Sequence, residues 1–217
     1  MAAVHPVIAV DGTAASGKST FSRALAARLG FTYVSTGEMY RGVTWYVQEQ
    51  GIDPRDATRV EALIAAVPVE TSLQDGGLAF HVGGVDALPH VREGRVNDGV
   101  SHVAKVSAVR RLLVAQQQGL AIQSPLVMEG RDIGTVVFPA TPYKFYIDAD
   151  PAVRALRRAA QGEADVIHQR DVIDSQRVDS PLTCAPDALR LDSGKQSVTE
   201  LLDAAMAHLA ERGLKTP

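Results

Sequence analysis

Residues 7–30, VIAVDGTAASGKSTFSRALAARLG, constrain the fold more than any other stretch of this chain. A short apolar run ends at Asp11-Gly12, a loop of small residues follows, and Lys18-Ser19 opens an Ala- and Leu-rich segment with helical periodicity. The loop matches the pattern G-x-x-x-x-G-K-[ST] at every fixed position. In this context the pattern predicts a buried strand, a phosphate-binding loop (the P-loop) and a helix whose N-terminus faces an anion.

The residue types of the P-loop have chemical reasons. Glycine and other small residues allow successive backbone N–H groups to point at phosphate oxygens without steric clash. Lys18 adds a positive charge for the β- and γ-phosphates, and the Ser19 hydroxyl is placed to ligate Mg²⁺. A nucleoside triphosphate is therefore expected on the following residues: Gly12, Thr13, Ala14, Ala15, Ser16, Gly17, Lys18, Ser19 and Thr20.

The rest of the chain alternates short apolar runs with amphipathic segments, which predicts an α/β fold with a parallel sheet. The predicted strands are Val7–Val10, Thr32–Ser35, Leu126–Glu129, Tyr143–Asp148 and Ala188–Asp192. The predicted helices are Ser19–Leu29, Glu38–Gln50, Arg55–Ala66, Ser107–Gln123, Ala152–Ala160 and Val198–Arg212.

Two regions interrupt this alternation. Within residues 67–100, the β-type runs Val67–Ser72 and Leu78–Val82 flank Asp75-Gly76-Gly77, which predicts a hairpin in a small β insertion. The polar segment Gln161–Pro181 is either a solvated surface or a mobile element that becomes ordered on charged ligands.

Composition argues against several classes of protein. The net charge of −3 and the pI near 6.1 are unlike the basic surplus of dedicated nucleic-acid-binding proteins. The single cysteine, Cys184, excludes a disulfide framework and a cysteine-based zinc site. The N-terminus does not resemble a signal peptide, and no apolar run reaches the roughly 20 residues that span a membrane. We expect a cytoplasmic chain with no nucleic-acid or membrane partner.

Two arginines follow predicted strands at the sheet edge where α/β folds bind ligands. Arg41 ends STGEMYR (35–41), after the second strand, and Arg131 lies in MEGRDIGTVVFP (128–139), after the third. Arginine suits planar, bidentate recognition of phosphate, so the pair indicates a second phosphate group. The alternative for each arginine is a surface ion pair with a nearby carboxylate. The guanine-reading motif N-K-x-D is absent from the sequence.

Further arginines lie in RALRRAAQ (154–161), and a mixed-charge pattern lies in QRDVIDSQRVDSPL (169–182). Arg154 and Arg158 are four residues apart on one helical face, where like charges repel unless an anion or an acid lies between them. A phosphate tail would be such an anion. A solvated helix face is the alternative.

Together these motifs resemble bacterial cytidylate kinases, a family of nucleoside monophosphate kinases. The resemblance extends almost from end to end and rests on DGTAASGKST, STGEMYR, GRDIGTVVFP, the RxxRR stretch, LDSG at 191–194 and R-D-x-x-D-x-x-R-x-x-S-P-L from Arg170 to Leu182. It implies ATP-dependent phosphorylation of CMP and dCMP in pyrimidine metabolism, with Mg²⁺ as cofactor, and we expect a monomer. The alternatives are another small P-loop kinase, such as an adenylate or UMP kinase, and a nucleotide-binding regulatory protein without catalysis.

The family fold is a five-stranded parallel sheet with helices on both faces, a monophosphate-binding β insertion and a mobile lid. For this chain the resemblance implies one kinase domain over 1–217. Its core would be 1–66 and 101–217, its β insertion 67–100 and its short lid 158–175.

The resemblance also implies a role for each matching residue. Arg41 and Arg131 would bind the phosphate of the acceptor nucleotide. The cytosine would be bound by Ser101, Arg110 and Asp132, with Thr36 nearby. Arg170 and Asp174 would bind the sugar, and Arg177 would bridge the acceptor site to the transferred phosphate. Arg157 and Arg158 would act in the lid over ATP. The implied catalytic residues are Lys18, Arg131, Arg158 and Arg177.

Three departures from the family pattern bear on these roles. Thr13 stands where proline is usual, and the sequence offers no explanation for it. Ser35 replaces an acid, so Glu129 or Asp132 is the candidate for the acid that holds the water shell of Mg²⁺. The lid is shorter than is common in the family.

Overall fold

The computed structural model describes residues 5–160, 179 and 182–215. Within them the chain divides into two compact units, one of residues 35–124 and one of residues 5–34 with 125–215. Most of the predicted lid lies outside the described residues, as do Arg170, Asp174 and Arg177. The division into one core, a β insertion and a lid stays a prediction.

Strands and helices alternate along most of the described chain. The strands are β1 (Val7–Gly12), β2 (Thr32–Ser35), β3 (Val69–Gln74), β4 (Gly77–Val82), β5 (Val85–Asp86), β6 (Leu126–Glu129), β7 (Lys144–Asp148) and β8 (Leu189–Asp192). The helices are α1 (Lys18–Leu29), α2 (Thr36–Glu49), α3 (Ala57–Ala66), α4 (Gly94–Val103), α5 (Ser107–Leu120), α6 (Pro151–Ala160) and α7 (Val198–Glu211). None of these helices has the length and apolar character that crossing a membrane requires.

The predicted α/β fold with a five-stranded parallel sheet is confirmed. The strand order is β2-β6-β1-β7-β8, with β1 parallel to β6 and β7, and β7 parallel to β8. All six residues of β1 are buried, and the apolar run Val7–Val10 within it predicts a strand covered on both faces. The bounds of these five strands differ from the predicted ones by no more than two residues.

One hydrophobic cluster joins this sheet to α1 and α7. Ile8 and Val10 of β1 pack with Phe145 and Ile147 of β7 and with apolar residues of both helices. Phe21 of α1 meets Phe145 edge to face, with the ring centroids 5.7 Å apart. This packing holds α1 against the sheet directly after the P-loop.

The parallel register brings the carboxyl ends of the strands to one edge of the sheet. Val10 is paired with Glu129, and Asp148 is paired with Asp192. Polar residues that end different strands therefore lie along the edge where the P-loop begins, which is the edge where α/β folds bind ligands.

The unit of residues 35–124 contains α2 to α5 and the antiparallel sheet β3-β4-β5. Its predicted hairpin is confirmed, because β3 and β4 pair up to Gln74 and Gly77 around a two-residue turn. The turn residues Asp75 and Gly76 both have left-handed backbone, with φ of 51° and 74°. Two successive left-handed residues match the twist of the flanking strands, which is why Asp-Gly predicts this turn.

Helix α4 begins inside the predicted β insertion, where the sequence analysis predicts no helix. Its sequence, GRVNDGVSHV, is poor in strong helix formers. Val96 and Val103 are nevertheless fully buried in the core of this unit. A Cβ at Gly99 would lie 2.8 Å from Pro54 and 2.9 Å from Thr44, so the helix packs closely there. Tertiary packing rather than intrinsic propensity stabilises α4.

The close packing of α2 on β4 makes Gly42 intolerant of a side chain. A Cβ at Gly42 would lie 2.8 Å from the Phe80 ring and 3.0 Å from Ala87, whereas a Cβ at Gly119 of α5 would have no neighbour within 4 Å. We expect Gly42→Ala to lower the free energy of unfolding by about 1–3 kcal/mol. Gly119→Ala should raise it by roughly 0.5–1 kcal/mol, because alanine favours the helix and nothing clashes.

Urea unfolding of both variants measures these changes, and each variant gains the same methyl group in a helix. Equal shifts of the two unfolding free energies would contradict the packing explanation.

Candidate functional site

The P-loop follows β1 in a conformation that glycine permits. Gly12 has φ of 146°, and a Cβ there would lie 1.9 Å from the Ile147 carbonyl oxygen of β7. Gly17 is left-handed, with φ of 82°, at the start of α1, and Ala15 is also left-handed, with φ of 56°. The two fixed glycines of the motif are therefore required by a close approach of β7 and by the backbone turn into the helix.

The carbonyl groups of the P-loop are held by side chains. Arg154 Nη1 donates to the Ala14 carbonyl oxygen at 3.2 Å, and Ser193 Oγ donates to the Ser16 carbonyl oxygen at 2.7 Å. Because a trans peptide is planar, its N–H points opposite to its C=O. The N–H groups of Ala15 and Gly17 consequently point away from these side chains, which is the arrangement of an anion-binding nest.

The predicted phosphate lysine lies over this loop. Lys18 is 6% exposed, and its ammonium group donates to the Thr13 carbonyl oxygen. A buried ammonium so close to the loop supplies the positive charge that bound phosphate groups need.

Ser19 is oriented by an acid at the end of β6. Its hydroxyl donates to Glu129 Oε1 at 2.7 Å, and the Tyr33 hydroxyl donates to the same oxygen. The guanidinium of Arg23 lies 4.8 Å from the centre of the Tyr33 ring. A serine that donates its only proton to a carboxylate keeps its oxygen lone pairs for a cation.

The side chains around Ser19 limit how a Mg²⁺ ion could be held. The described residues contain no cluster of three or more His, Cys, Asp or Glu side chains that could hold a metal ion. A cation here would be held by Ser19 and phosphate oxygens, with a carboxylate acting through water. The bond from Ser19 favours Glu129 over Asp132 for that carboxylate, an alternative that the sequence analysis left open. The arrangement fits Mg²⁺, which keeps several waters and takes few protein ligands.

Asp11 is a buried carboxylate that is not among the predicted site residues. It is 3% exposed, and its two oxygens accept from the backbone N–H groups of Ile133 and Gly134, both at 2.7 Å. Burial raises the pKa of Asp11 from 3.8 to about 6, against the lowering effect of these two hydrogen bonds. An acid that directly follows an apolar run within a strand is the signal that could have indicated this bond.

The turn held by Asp11 carries Asp132. The Asp132 carbonyl oxygen accepts from the N–H groups of Val136 and Val137, at 2.8 and 3.2 Å, and so opens a π-helical turn over Ile133–Val137. Asp132 itself is 5% exposed. Single π-helical turns are frequent at functional sites, and this one begins at a residue that the sequence analysis predicts in the base site.

The reason for threonine at position 13 is a hydrogen bond to a residue at the end of β7. The Thr13 hydroxyl donates to Asp148 Oδ1 at 2.7 Å, and the same oxygen accepts from the Ala149 N–H group at 2.9 Å. Proline could not make this bond, because it has no hydroxyl. The contact ties the P-loop to the neighbouring strand, so the departure from the usual pattern has a structural reason.

The other predicted acceptor residues lie in the unit of residues 35–124. Thr36 opens α2, and the Arg41 guanidinium lies near the start of that helix, 3.0 Å from where a Cβ at Gly37 would be. Ser101 lies on α4. Arg110 of α5 is 3% exposed and donates to the Ala104 carbonyl oxygen at 3.3 Å. Arg131 follows β6 in the other unit, and the binding roles of all these residues stay predictions.

The arginines of α6 differ in their surroundings. Arg154 is only 8% exposed and bonds to the P-loop, so the solvated helix face considered as its alternative is wrong. Arg157 donates to Ser193, and Arg158 is half-buried at the last turn of the helix. Ser193 is not among the predicted site residues, although it lies in the LDSG motif.

Comparison with known proteins identifies relatives along almost the whole chain. A family model described as cytidylate kinase matches residues 8–211. A cytidylate kinase of Solibacter usitatus (strain Ellin6076) is 39% identical over 219 residues, covering 95% of this chain and 93% of that protein. A bifunctional pantoate ligase/cytidylate kinase of Synechococcus sp. (strain WH7803) is 44% identical over 213 residues, covering 92% of this chain and 43% of that protein. The chain thus spans less than half the length of this bifunctional relative.

A solved structure supports the fold. A gluconokinase from Sinorhizobium meliloti 1021 matches with a TM-score of 0.51 at 15% identity, covering 96% of this chain and 93% of that one. At this identity the likeness concerns the fold alone.

The raised pKa of Asp11 predicts how stability depends on pH. Because the folded pKa of about 6 exceeds the ordinary 3.8, the folded state holds this proton more tightly, and ionisation disfavours the fold. The contribution is fully present below the ordinary pKa and is lost as the pH rises through about 6, a loss of about 3 kcal/mol. Asp11→Asn does not titrate and serves as the reference.

Unfolding free energies of the wild type and Asp11→Asn, measured from about pH 4 to about pH 7.5, test this. We expect the wild type to lose stability relative to the variant as the pH rises. A relative gain would show that the two backbone hydrogen bonds outweigh the effect of burial.

Proposed function

The chain belongs to the cytidylate kinase family, and from this membership we propose that it transfers the γ-phosphoryl group of ATP to CMP and dCMP. The observation that carries the proposal is the P-loop, with its carbonyls bonded by Arg154 and Ser193 and with Lys18 over it. A loop whose N–H groups face inward is a site for the phosphates of a nucleotide.

ATP would bind on residues 12–20, with its phosphates on the N–H groups of the loop and on Lys18. Mg²⁺ would be held by Ser19 and phosphate oxygens, with Glu129 accepting from its water shell. When bound, the metal offsets negative charge on the phosphates of the donor. Ser19 is oriented for this role, because its proton is directed to Glu129.

The acceptor would be recognised by residues that suit a nucleoside monophosphate. Cytosine presents an N4 amino donor beside the N3 and O2 acceptors, so a carboxylate and an arginine match its edge. The proposed acceptor residues are Arg41 and Arg131 for the phosphate, Thr36, Ser101, Arg110 and Asp132 for the base, and Arg170, Asp174 and Arg177 for the sugar and the transferred phosphate.

The transfer itself asks for positioning and charge neutralisation. An oxygen of the CMP phosphate forms a bond to the γ-phosphorus while the bond from that phosphorus to the β–γ bridging oxygen breaks, which gives CDP and ADP. A general base is not required, because the acceptor phosphate is ionised near neutral pH. Lys18, Arg131, Arg158 and Arg177 are the residues proposed to offset the charge that moves between the nucleotides.

We further propose that the protein acts as a cytoplasmic monomer in pyrimidine metabolism. The two relatives named above carry the cytidylate kinase name, one alone and one joined to pantoate ligase. An adenylate or UMP kinase is the alternative activity.

A panel of acceptors tests the proposed activity directly. Purified protein is assayed for ADP formation from ATP with CMP, dCMP, UMP, AMP and shikimate. We expect the highest kcat/KM with CMP or dCMP, because cytosine offers an amino donor to Asp132 beside two acceptors, N3 and O2, for arginine. Uracil has a carbonyl oxygen in place of that amino group, and adenine lacks the O2 acceptor. A preference for AMP would refute the proposal, and ADP formation that does not require an acceptor would refute it too.

The same panel tests the role of Asp132. In Asp132→Ala, kcat/KM for CMP should fall by at least about tenfold while that for UMP falls less, because uracil leaves the carboxylate facing a carbonyl oxygen. Asp132→Asn keeps an acceptor oxygen and should lose less. Equal losses for CMP and UMP would remove Asp132 from base recognition.

Tyr33 should strengthen the binding of Mg²⁺ through its hydrogen bond to Glu129. Tyr33→Phe deletes the hydroxyl that donates to Glu129, and we expect Mn²⁺ binding in the presence of ADP, followed by electron paramagnetic resonance, to weaken by about tenfold. Tyr143→Phe, at a half-buried tyrosine of the same unit, is the control and should leave Mn²⁺ binding unchanged. Unchanged Mn²⁺ binding in Tyr33→Phe would show that the Tyr33 hydroxyl does not support metal binding through Glu129.

A further inference from the structure

Two arginines of α6 reach the P-loop from the side of its carbonyl groups. Arg154 donates to the Ala14 carbonyl oxygen directly, at 3.2 Å. Arg157, one turn later, reaches the Ser16 carbonyl oxygen through Ser193. One helix thus holds two alternate peptide groups of the loop. It bonds directly to the Ala14–Ala15 peptide and reaches the Ser16–Gly17 peptide through Ser193, a chain of hydrogen bonds that we call the relay.

The Arg157–Ser193 pair is made of two hydrogen bonds. Arg157 Nη1 donates to Ser193 Oγ at 2.9 Å, and Arg157 Nη2 donates to the Ser193 carbonyl oxygen at 2.7 Å. A guanidinium group has five N–H donors and no acceptor, so the Ser193 hydroxyl must accept from it. The single proton of that hydroxyl is then directed to the Ser16 carbonyl oxygen, 2.7 Å away.

Ser193 is itself well placed for a relay. It follows β8, and its N–H group donates to the Asp148 carbonyl oxygen of β7 at 2.9 Å. Gly17 lies beside the pair, since a Cβ there would be 3.6 Å from both Arg157 Nη1 and Ser193 Oγ. The hydroxyl is therefore anchored by the sheet on one side and touches the P-loop on the other.

We propose that Ser193 is a positioning residue of the donor site and that Arg157 acts on bound ATP through it. The bond from Ser193 holds the Ser16–Gly17 peptide with its carbonyl outward, which keeps the Gly17 N–H inward for a phosphate oxygen. This assignment differs from the ATP-binding role in the lid that the family resemblance implies for Arg157. It rests on the proposed function only in taking ATP as the ligand.

Loss of the relay should weaken the binding of the donor nucleotide and leave the binding of the acceptor unchanged. Without Ser193 Oγ the Ser16–Gly17 peptide loses a bond that fixes its direction. A hydrogen bond of this kind corresponds to about a fivefold change in affinity. The KM for CMP should stay within about twofold, because the relay ends on the P-loop and has no hydrogen bond to the acceptor residues proposed within the described part of the chain.

A double-mutant cycle separates the relay from a direct contact. The variants are Ser193→Ala, Arg157→Gln and the two combined. Calorimetry measures the dissociation constant of a non-hydrolysable ATP analogue with Mg²⁺ in the absence of CMP. We expect each single variant to bind about fivefold more weakly, and the double variant to bind no more weakly than the weaker single one, because both changes break one chain of bonds.

Three further variants complete the design. Ser193→Thr keeps a hydroxyl and should restore the affinity. Arg28→Gln removes a positive charge from the surface pair with Asp203 and controls for the loss of charge in Arg157→Gln. Ser72→Ala removes a hydroxyl from the β3 strand of the other unit, and both controls should bind the analogue as the wild type does.

Additive losses in the double variant, to about 25-fold, would overturn the proposal in favour of a direct contact between Arg157 and ATP. Unchanged binding of the analogue in Ser193→Ala would overturn it as well. So would a variant in which the KM values for ATP and for CMP rise equally, the Tm is lowered and Ser193→Thr does not restore the affinity. A wild type that binds the analogue but does not phosphorylate CMP would refute the proposed function alone, since the cycle uses no acceptor.

Discussion

The donor site depends on the direction in which the P-loop peptide groups point. Arg154 and Ser193 bond to two carbonyl groups of the loop, so the N–H groups that share those peptide bonds are directed to the opposite side. Orientation before binding matters energetically, because a loop that had to turn its peptides on binding would lose part of its affinity in ordering them. The surroundings of the loop are therefore as important to binding as the G-x-x-x-x-G-K-S pattern itself.

Charged groups buried along this sheet edge are stabilised by neutral dipoles. Asp11 accepts from two backbone N–H groups, Glu129 accepts from two hydroxyls, and Arg154 donates to backbone carbonyls. Hydrogen bonds from neutral groups stabilise a buried charge without cancelling its field. The raised pKa of Asp11 shows that for this carboxylate they compensate burial only in part.

Prediction from the sequence succeeded where the signal was local. The apolar runs, the Asp-Gly turn and the P-loop pattern each depend on neighbouring residues, and the structure confirms the elements that they predicted. Helix α4 was missed because its local signal is weak and its burial depends on residues elsewhere in the unit. The choice between Glu129 and Asp132 stayed open in the sequence, since both lie at the carboxyl end of the same strand and only the bond from Ser19 separates them.

The sequence by itself determined the α/β fold, the place of the P-loop between β1 and α1, and the residue types that a phosphate and Mg²⁺ require. Only the tertiary structure decided which side chains hold that loop. Thr13 and Asp148 are 135 positions apart, and Ser16 and Ser193 are 177 positions apart. Such partners are brought together by strand register and helix packing, which no local pattern of residues records, and so the reason for Thr13 became visible only when β1 and β7 were paired.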